Sequence, residues 1–248
     1  MNRQLNSKTG SRGIEWTDFT WNMIRGCLHG CVWVLLKKEA KCYAKITAEN
    51  GVAKKFYPEG FEHHYFDKNN QDLQKRKTPA LVFIDSMSDL FGHWVPKDDV
   101  HAVLDQVSNS PQHIAQALTK NAPGILKYLD DLPSNLWVGV SSPPDEMWGQ
   151  KLDLLKQQKM LVRELKVLQQ VKERRPDLTV WMSIEPLSWD ISDTLRDHPV
   201  LDEQQVPVCF KGNLKWPRWR EDFPAIDHPA LRRRKEQAEK HGWTASRY

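Results

Sequence analysis

Leu81-Val82-Phe83-Ile84-Asp85-Ser86-Met87-Ser88-Asp89 runs from an apolar block into a polar one, and Pro96 and the stretch Lys97–Ser108 follow it. The compact apolar block Leu81–Asp85 has the composition of a buried strand. Val100, Val103, Leu104 and Val107 recur at helical spacing, and Pro96 stands where a helix can begin. A strand followed by a helix is half of a βαβ unit, and the chain repeats it downstream. His113–Thr119 reads as a strand, Pro123–Leu132 as a helix and Leu136–Ser141 as a strand. Glu146–Arg174 reads as a long helix with a stripe of Leu152, Leu155, Val162, Leu165, Leu168 and Val171. Thr179–Glu185 and Val206–Lys211 are two more strands. Strands separated by helices form parallel sheets with right-handed crossovers. With Ile14–Met23, rich in Trp, Phe and Thr, the total is about six strands. The expected fold is α/β, a partial (β/α)6-type barrel with mostly parallel strands and a basic C-terminal helix. Residues 14–211 form the barrel, residues 1–13 a flexible N-terminal arm, and residues 212–248 a basic extension.

In such folds chemistry gathers at the carboxyl ends of the strands. The residues there are Asp85 to Asp89, Thr119 and Lys120, Ser141 and Ser142, Ser183 with Glu185 and Pro186, and Lys211. Asp89 and Glu185 are candidates for cation binding or acid–base work, and Lys120 and Lys211 for meeting carboxylate or phosphate.

Upstream of the first βα unit lies Cys27-Leu28-His29-Gly30-Cys31, followed by Cys42-Tyr43-Ala44, so three of the four cysteines fall within sixteen residues. Thiolates are the ligands that soft metals and iron–sulfur clusters select. Three ligands with a vacancy leave a metal free to meet a substrate, whereas His29, His63 or His64 would complete a structural zinc site. Gly30 permits the tight backbone such a loop needs. Tyr43–Lys55 has helical composition, and Phe56–Lys77 is irregular.

Length, a polar first segment Met1–Gly13 and a longest apolar run of only Val32–Leu36 point away from secretion and membrane spans. The expected compartment is the reducing cytoplasm, where clustered cysteines bind metal or react more often than they form disulfides. The sequence has no phosphate-binding glycine loop, no dinucleotide glycine pattern and no His-Glu-x-x-His.

Thr20-Trp21-Asn22, Gly26-Cys27 through Cys42-Tyr43-Ala44, Ser86 through Phe91, Leu118-Thr119-Lys120, Trp137 through Ser141, and Ser183-Ile184-Glu185-Pro186-Leu187 occur in one order. With Val206 through Lys211 they resemble the phage-encoded three-cysteine family, a branch related to radical S-adenosylmethionine (radical SAM) enzymes. The similarity covers roughly Trp16 to Lys211. It implies a [4Fe–4S] cluster on Cys27, Cys31 and Cys42, with S-adenosyl-L-methionine on the open iron. Reduction would release a 5′-deoxyadenosyl radical to modify a substrate that the sequence does not name. The resemblance implies that Tyr43, Ser86, Ser88, Thr119, Ser141 and Lys211 serve the cofactor, and Glu185, Asp89 and Lys120 the chemistry. Two features depart from the pattern. Val32–Lys41 separates Cys31 from Cys42, where such enzymes place two residues. Ser188–Gln205 also lacks the glycine-rich strand end. The apolar part of the first insertion is suited to a flap.

Lys211–Arg247 holds ten Lys or Arg against five Asp or Glu. Trp216, Trp219 and Trp243 are interleaved with Lys215, Arg218, Arg220 and Arg232-Arg233-Arg234-Lys235. This composition suits a nucleic-acid partner, and a protein partner is the other option for a non-catalytic relative. The preferred reading is a basic helix from His228 to His241 anchored by tryptophans, since four adjacent cations cannot share one helix face.

Overall fold

The computed structural model describes residues 1–4, 13–14, 16–35, 37–61, 65–67, 69–184, 188–191, 194–195, 208–210 and 226–241. In chain order the strands are β1 (Asn2–Arg3), β2 (Phe19–Trp21), β3 (Ile24–Arg25), β4 (Val32–Leu35), β5 (Lys38–Lys41), β6 (Tyr65–Phe66) and β7 (Leu81–Ile84). They continue with β8 (Ile114–Thr119), β9 (Leu136–Ser141), β10 (Glu146–Met147), β11 (Gln150–Lys151), β12 (Val180–Ile184) and β13 (Val208–Phe210). The helices α1 (Tyr43–Glu49), α2 (Asp72–Lys75), α3 (Lys97–Ser108), α4 (Ala122–Leu126) and α5 (Leu154–Arg174) precede a C-terminal helix, Pro229–His241.

The main sheet has the order β1-β2-β7-β8-β9-β12-β13. All neighbours from β2 onward are parallel, and only β1 runs antiparallel, on β2. Six parallel strands in sequence order make the expected α/β architecture. Each step in the chain moves one strand along the sheet, so α3 and α5 cover one face. Their residues Val103, Leu104, Leu165 and Leu168 join Val82, Ala115, Val138 and Met182 in the larger core.

The alternate residues face inward. Leu81, Phe83, Ile114, Trp137 and Trp181 form a second core with Trp16 and Ala230. Trp16 precedes β2, and Trp181 lies on β12, four strands away. A flat sheet would hold those strands about 19 Å apart. Their rings meet edge to face with centroids at 4.7 Å. The sheet is therefore strongly curled, as a partial barrel requires. The described strands do not close it.

The C-terminal helix plugs the amino-terminal end of this trough. Ala230 enters the inner core. Arg234, only 1% exposed, donates from Nη1 to Asp18 Oδ1 at 3.2 Å, and Arg233 Nη1 lies 3.7 Å from Asp18 Oδ2. Asp18 Oδ2 also accepts from Leu81 N at 3.1 Å. The basic run is thus divided between a buried ion pair and the surface, where Arg232 pairs with Asp227.

Several expected boundaries are corrected. The start of the expected arm is anchored, since Asn2 and Arg3 pair with Thr20 and Phe19. The first parallel strand is only Phe19–Trp21, because Thr17 is bonded sideways to Leu81 O and Phe83 N while Trp16 turns inward. The helix from Tyr43 stops at Glu49. Asn50 adopts extended backbone, and Gly51–Phe56 continues as a 3-10 turn. Pro123–Leu132 likewise divides into α4 and a 3-10 turn at Leu129–Asp131. The long helix begins at Leu154, not at Glu146. Trp148 and Gly149, both at positive φ, form a two-residue hairpin turn between β10 and β11, and Asp153 caps the helix through Lys156 N at 2.9 Å. Leu155 is consequently exposed, and the buried stripe runs from Leu161 to Val171. Among the described residues no helix is long and apolar enough to cross a membrane.

Candidate cysteine-lined cofactor site

Between Cys31 and Cys42 the chain forms a hairpin. β4 and β5 pair in the register Val32↔Lys41 through Leu35↔Lys38, turning at Lys37. The hairpin's base continues one step further, where Cys42 N donates to Cys31 O at 3.2 Å. Residues facing each other in an antiparallel pair are about 5 Å apart, so the insertion lengthens the sequence without separating the two cysteines. The hairpin is also held from outside. β10 pairs with β4, Val34 N donates to Asp145 Oδ2 at 2.7 Å, and Asp145 N donates to Val32 O at 3.0 Å. The expected flap is a four-stranded cap, ordered β11-β10-β4-β5.

Cys27 reaches the same place from the other side. Its N–H donates to Phe61 O at 3.1 Å, and Gly26 N donates to Met87 O at 3.0 Å. Gly30 takes φ +61, the left-handed region that the loop back to Cys31 requires. Asp85, itself at φ 52, accepts from Met23 N and Ile24 N through Oδ1, both at 3.0 Å. Ser86 Oγ donates to Asn22 Oδ1 at 3.0 Å and Ser88 Oγ to Gly26 O at 2.7 Å. The end of β7 is thus stitched to the loop that carries the cysteines.

These contacts enclose a cavity of about 380 Å³ at the carboxyl ends of the strands, within the size range of small-molecule and cofactor pockets. Of the twelve residues expected in the site, ten line it: Cys27, Cys31, Cys42, Tyr43, Ser86, Ser88, Asp89, Thr119, Lys120 and Ser141. Glu185 and Lys211 lie outside the described residues, as do His63 and His64. Trp16, Trp33, Leu118 and Lys41 also line the cavity. Leu118 belongs to the Leu118-Thr119-Lys120 motif, whereas Trp16, Trp33 and Lys41 enter through the sheet's curl or the hairpin's register, of which the sequence gives little sign.

Asp89 is the polar hub of the wall. Oδ2 meets His29 Nε2 at 2.7 Å, and accepts from Thr119 Oγ1 and Lys120 N, both at 3.0 Å. Oδ1 accepts from Phe91 N at 3.1 Å. Burial alone would raise its pKa, but His29 and these donors outweigh burial and hold the carboxyl below the usual carboxylate range. Asp85 lacks such compensation, and burial pushes it up to about 7 despite its two backbone donors. Lys120 Nζ donates to Ser141 Oγ at 2.9 Å and sits 5.6 Å from the centre of the Trp33 ring. The Cys31 thiol is raised to about 11 by burial, partly offset by Lys120. Burial, reinforced by Asp89, also raises Cys27 well above the ordinary thiol value.

All three cysteines are free. Among the described residues no three His, Cys, Asp or Glu side chains stand so as to hold a single metal ion. A lone zinc needs its ligands to converge at about 2.3 Å from one point. A four-iron cluster takes each thiolate on a different iron, so its sulfurs ring the group instead. Three thiols around one cavity, beside two buried ring nitrogens with no hydrogen-bond partner among the described residues (His29 Nδ1 and Trp33 Nε1), fit the larger guest.

Fold and site together define a parallel α/β partial barrel with a three-cysteine cavity at its strand ends. Residues 11–196 match a family model, and the chain belongs to that family, described as protein of unknown function DUF5131. No curated protein matches it in sequence. Among solved structures the chain is similar to spore photoproduct lyase. A form with bound AdoMet and dinucleoside spore photoproduct is 11% identical, with a TM-score of 0.47, covering 88% of this chain and 60% of that one. A second mutant is 8% identical, with a TM-score of 0.49, covering 91% and 73%. The chain therefore spans about three-fifths of the length of the first of these proteins.

Proposed function

We propose that this chain is a radical S-adenosylmethionine-like enzyme in which Cys27, Cys31 and Cys42 hold a [4Fe–4S] cluster. The observation that carries this reading is the hairpin closure. The bond from Cys42 N to Cys31 O sets the two residues side by side despite the long interval between them in the sequence, which supports a shared ligand loop. The ordered motifs at the strand ends support it, since the residues they supply share one cavity with the thiols. When bound, such a cluster with S-adenosylmethionine supplies one-electron cleavage of a sulfonium, giving methionine and a 5′-deoxyadenosyl radical.

The chain's own residues bind, orient and exclude water. Burial favours the protonated thiols of Cys27 and Cys31, so loading would displace their protons. Lys120, fixed by Ser141 Oγ, presents an ammonium that suits a carboxylate. Ser86 and Ser88 direct their hydroxyls to Asn22 and Gly26, and shape the loop. With its oxygens engaged by four donors, Asp89 acts as a positioning residue that ties the cysteine loop to β8. Glu185 and Lys211 complete the proposed set. The cap of β4, β5, β10 and β11 covers one side of the cavity with Trp33 and Leu35.

The test is turnover of S-adenosylmethionine by the anaerobically reconstituted, reduced chain, with 5′-deoxyadenosine read by chromatography. Formation is expected, and loss in each of Cys27→Ala, Cys31→Ala and Cys42→Ala. A cluster-loaded wild type that leaves the cofactor intact would refute the reading.

A further inference from the structure

We propose that His29 Nδ1 is a fourth protein ligand of the group held by Cys27, Cys31 and Cys42, bound in the absence of S-adenosylmethionine. The inference builds on the cluster reading above and adds a ligand to it.

His29 lies between Cys27 and Cys31 in the chain, is 2% exposed and lines the same cavity. Its Nε2 stands 2.7 Å from Asp89 Oδ2. With Nε2 turned to that carboxylate, Nδ1 is the ring nitrogen left to meet another group. That nitrogen is buried and has no hydrogen-bond partner among the described residues. A buried polar atom left unmet is unfavourable, and coordination would relieve that cost. A histidine that donates one nitrogen to a carboxylate and offers the other to a metal is the usual arrangement of metal-binding imidazoles.

The ring is also oriented beforehand. Trp94 meets it edge-on with centroids at 4.8 Å, Trp148 lies at 5.6 Å, and Trp148 N donates to His29 O at 2.7 Å. An unmet nitrogen alone would not carry the assignment. His113 Nδ1 is equally unmet, but His113 contacts the Leu73 and Arg76 carbonyls, away from the cavity. The cysteine loop around His29 makes the difference. Ligation from inside that loop would close the cluster's open position until the cofactor's amino and carboxylate groups took it.

The experiment uses the full chain grown with nitrogen-15 histidine, reconstituted anaerobically and reduced. Electron spin-echo modulation is then recorded with and without S-adenosylmethionine. A histidine-nitrogen coupling is expected without the cofactor, gone in its presence and absent from His29→Ala. Because the central reading is made on wild type, a poorly folding variant does not void it. Loaded wild type without histidine coupling, or coupling unchanged in a folded His29→Ala, would overturn the proposal. Coupling that persists with S-adenosylmethionine would overturn the proposed exchange and remove the open iron from the function proposed above. If the chain takes zinc instead, the radical reading fails, and X-ray absorption decides His29 separately. Three sulfurs and one imidazole nitrogen support it, and any shell without imidazole overturns it. A chain that binds neither metal overturns both.

Discussion

The two ends of the curled sheet are built on opposite terms. At the amino-terminal end, a helix inserts Ala230 and Arg234, and a single carboxylate, Asp18, meets Arg234, Arg233 and Leu81 N. At the carboxyl end a cavity of about 380 Å³ is left, walled by three thiols, a lysine and an aspartate whose bonds hold loops and not a filled core. The first end is completed by the chain itself. The second is left open as a cavity. A fold can therefore place its stability at one mouth and its chemistry at the other, and substitutions should separate the two.

The largest effect is expected at the closed end. Asp18→Ala leaves Arg234, 1% exposed, without its carboxylate. Breaking a buried pair from one side typically costs about 3–5 kcal/mol. Urea unfolding should report that loss, while iron bound per folded chain stays unchanged. A loss of iron binding without loss of stability would erase the contrast. Next comes Gly139→Ala, between the two ends. Its new Cβ would meet Trp181 Nε1 at 2.6 Å, and overpacking of this kind costs about 1–3 kcal/mol. The same unfolding curve checks it.

At the open end, Asp85 makes stability depend on pH. Its folded value of about 7 lies above the ordinary 3.8, so between these values the folded chain holds more protons than the unfolded one. Stability should therefore fall as pH rises from about 4 to 7 and level off above, with a slope of at most about 1.4 kcal/mol per pH unit. Asp85→Asn should flatten that slope. Asp89 has the opposite sign, because its value is lowered. Its contribution is present above the ordinary carboxylate range and is lost as pH falls through the folded value. Melting across pH 3 to 9 measures both. The smallest effect is Arg232→Gln, which removes only an exposed pair with Asp227. It should change stability by no more than about 0.5 kcal/mol.

Much of this was legible in the chain because βα units announce themselves locally. The apolar run Leu81–Ile84 and the spacing of Val100, Val103, Leu104 and Val107 give a strand and a helix without tertiary knowledge. The ends of those strands followed, and with them Asp89, Thr119, Lys120 and Ser141. Less legible were features set by turns and long-range register. Trp148-Gly149 converted a helical-looking stretch into a hairpin through two positive φ angles. Val32–Lys41 looked like a gap between ligands, and only its pairing shows that it brings Cys31 and Cys42 together. Arg234 is one of four adjacent cations in the sequence, and nothing local marks it as the buried one, since its partner Asp18 is 216 residues away.

The most direct test of the account is the iron and acid-labile sulfide bound by the anaerobically reconstituted wild-type chain, with Cys42→Ala alongside. The account expects about four of each per wild-type chain, as a single four-iron cluster requires, and a clear drop in the variant. A folded wild-type chain that emerges colourless and iron-free would contradict it.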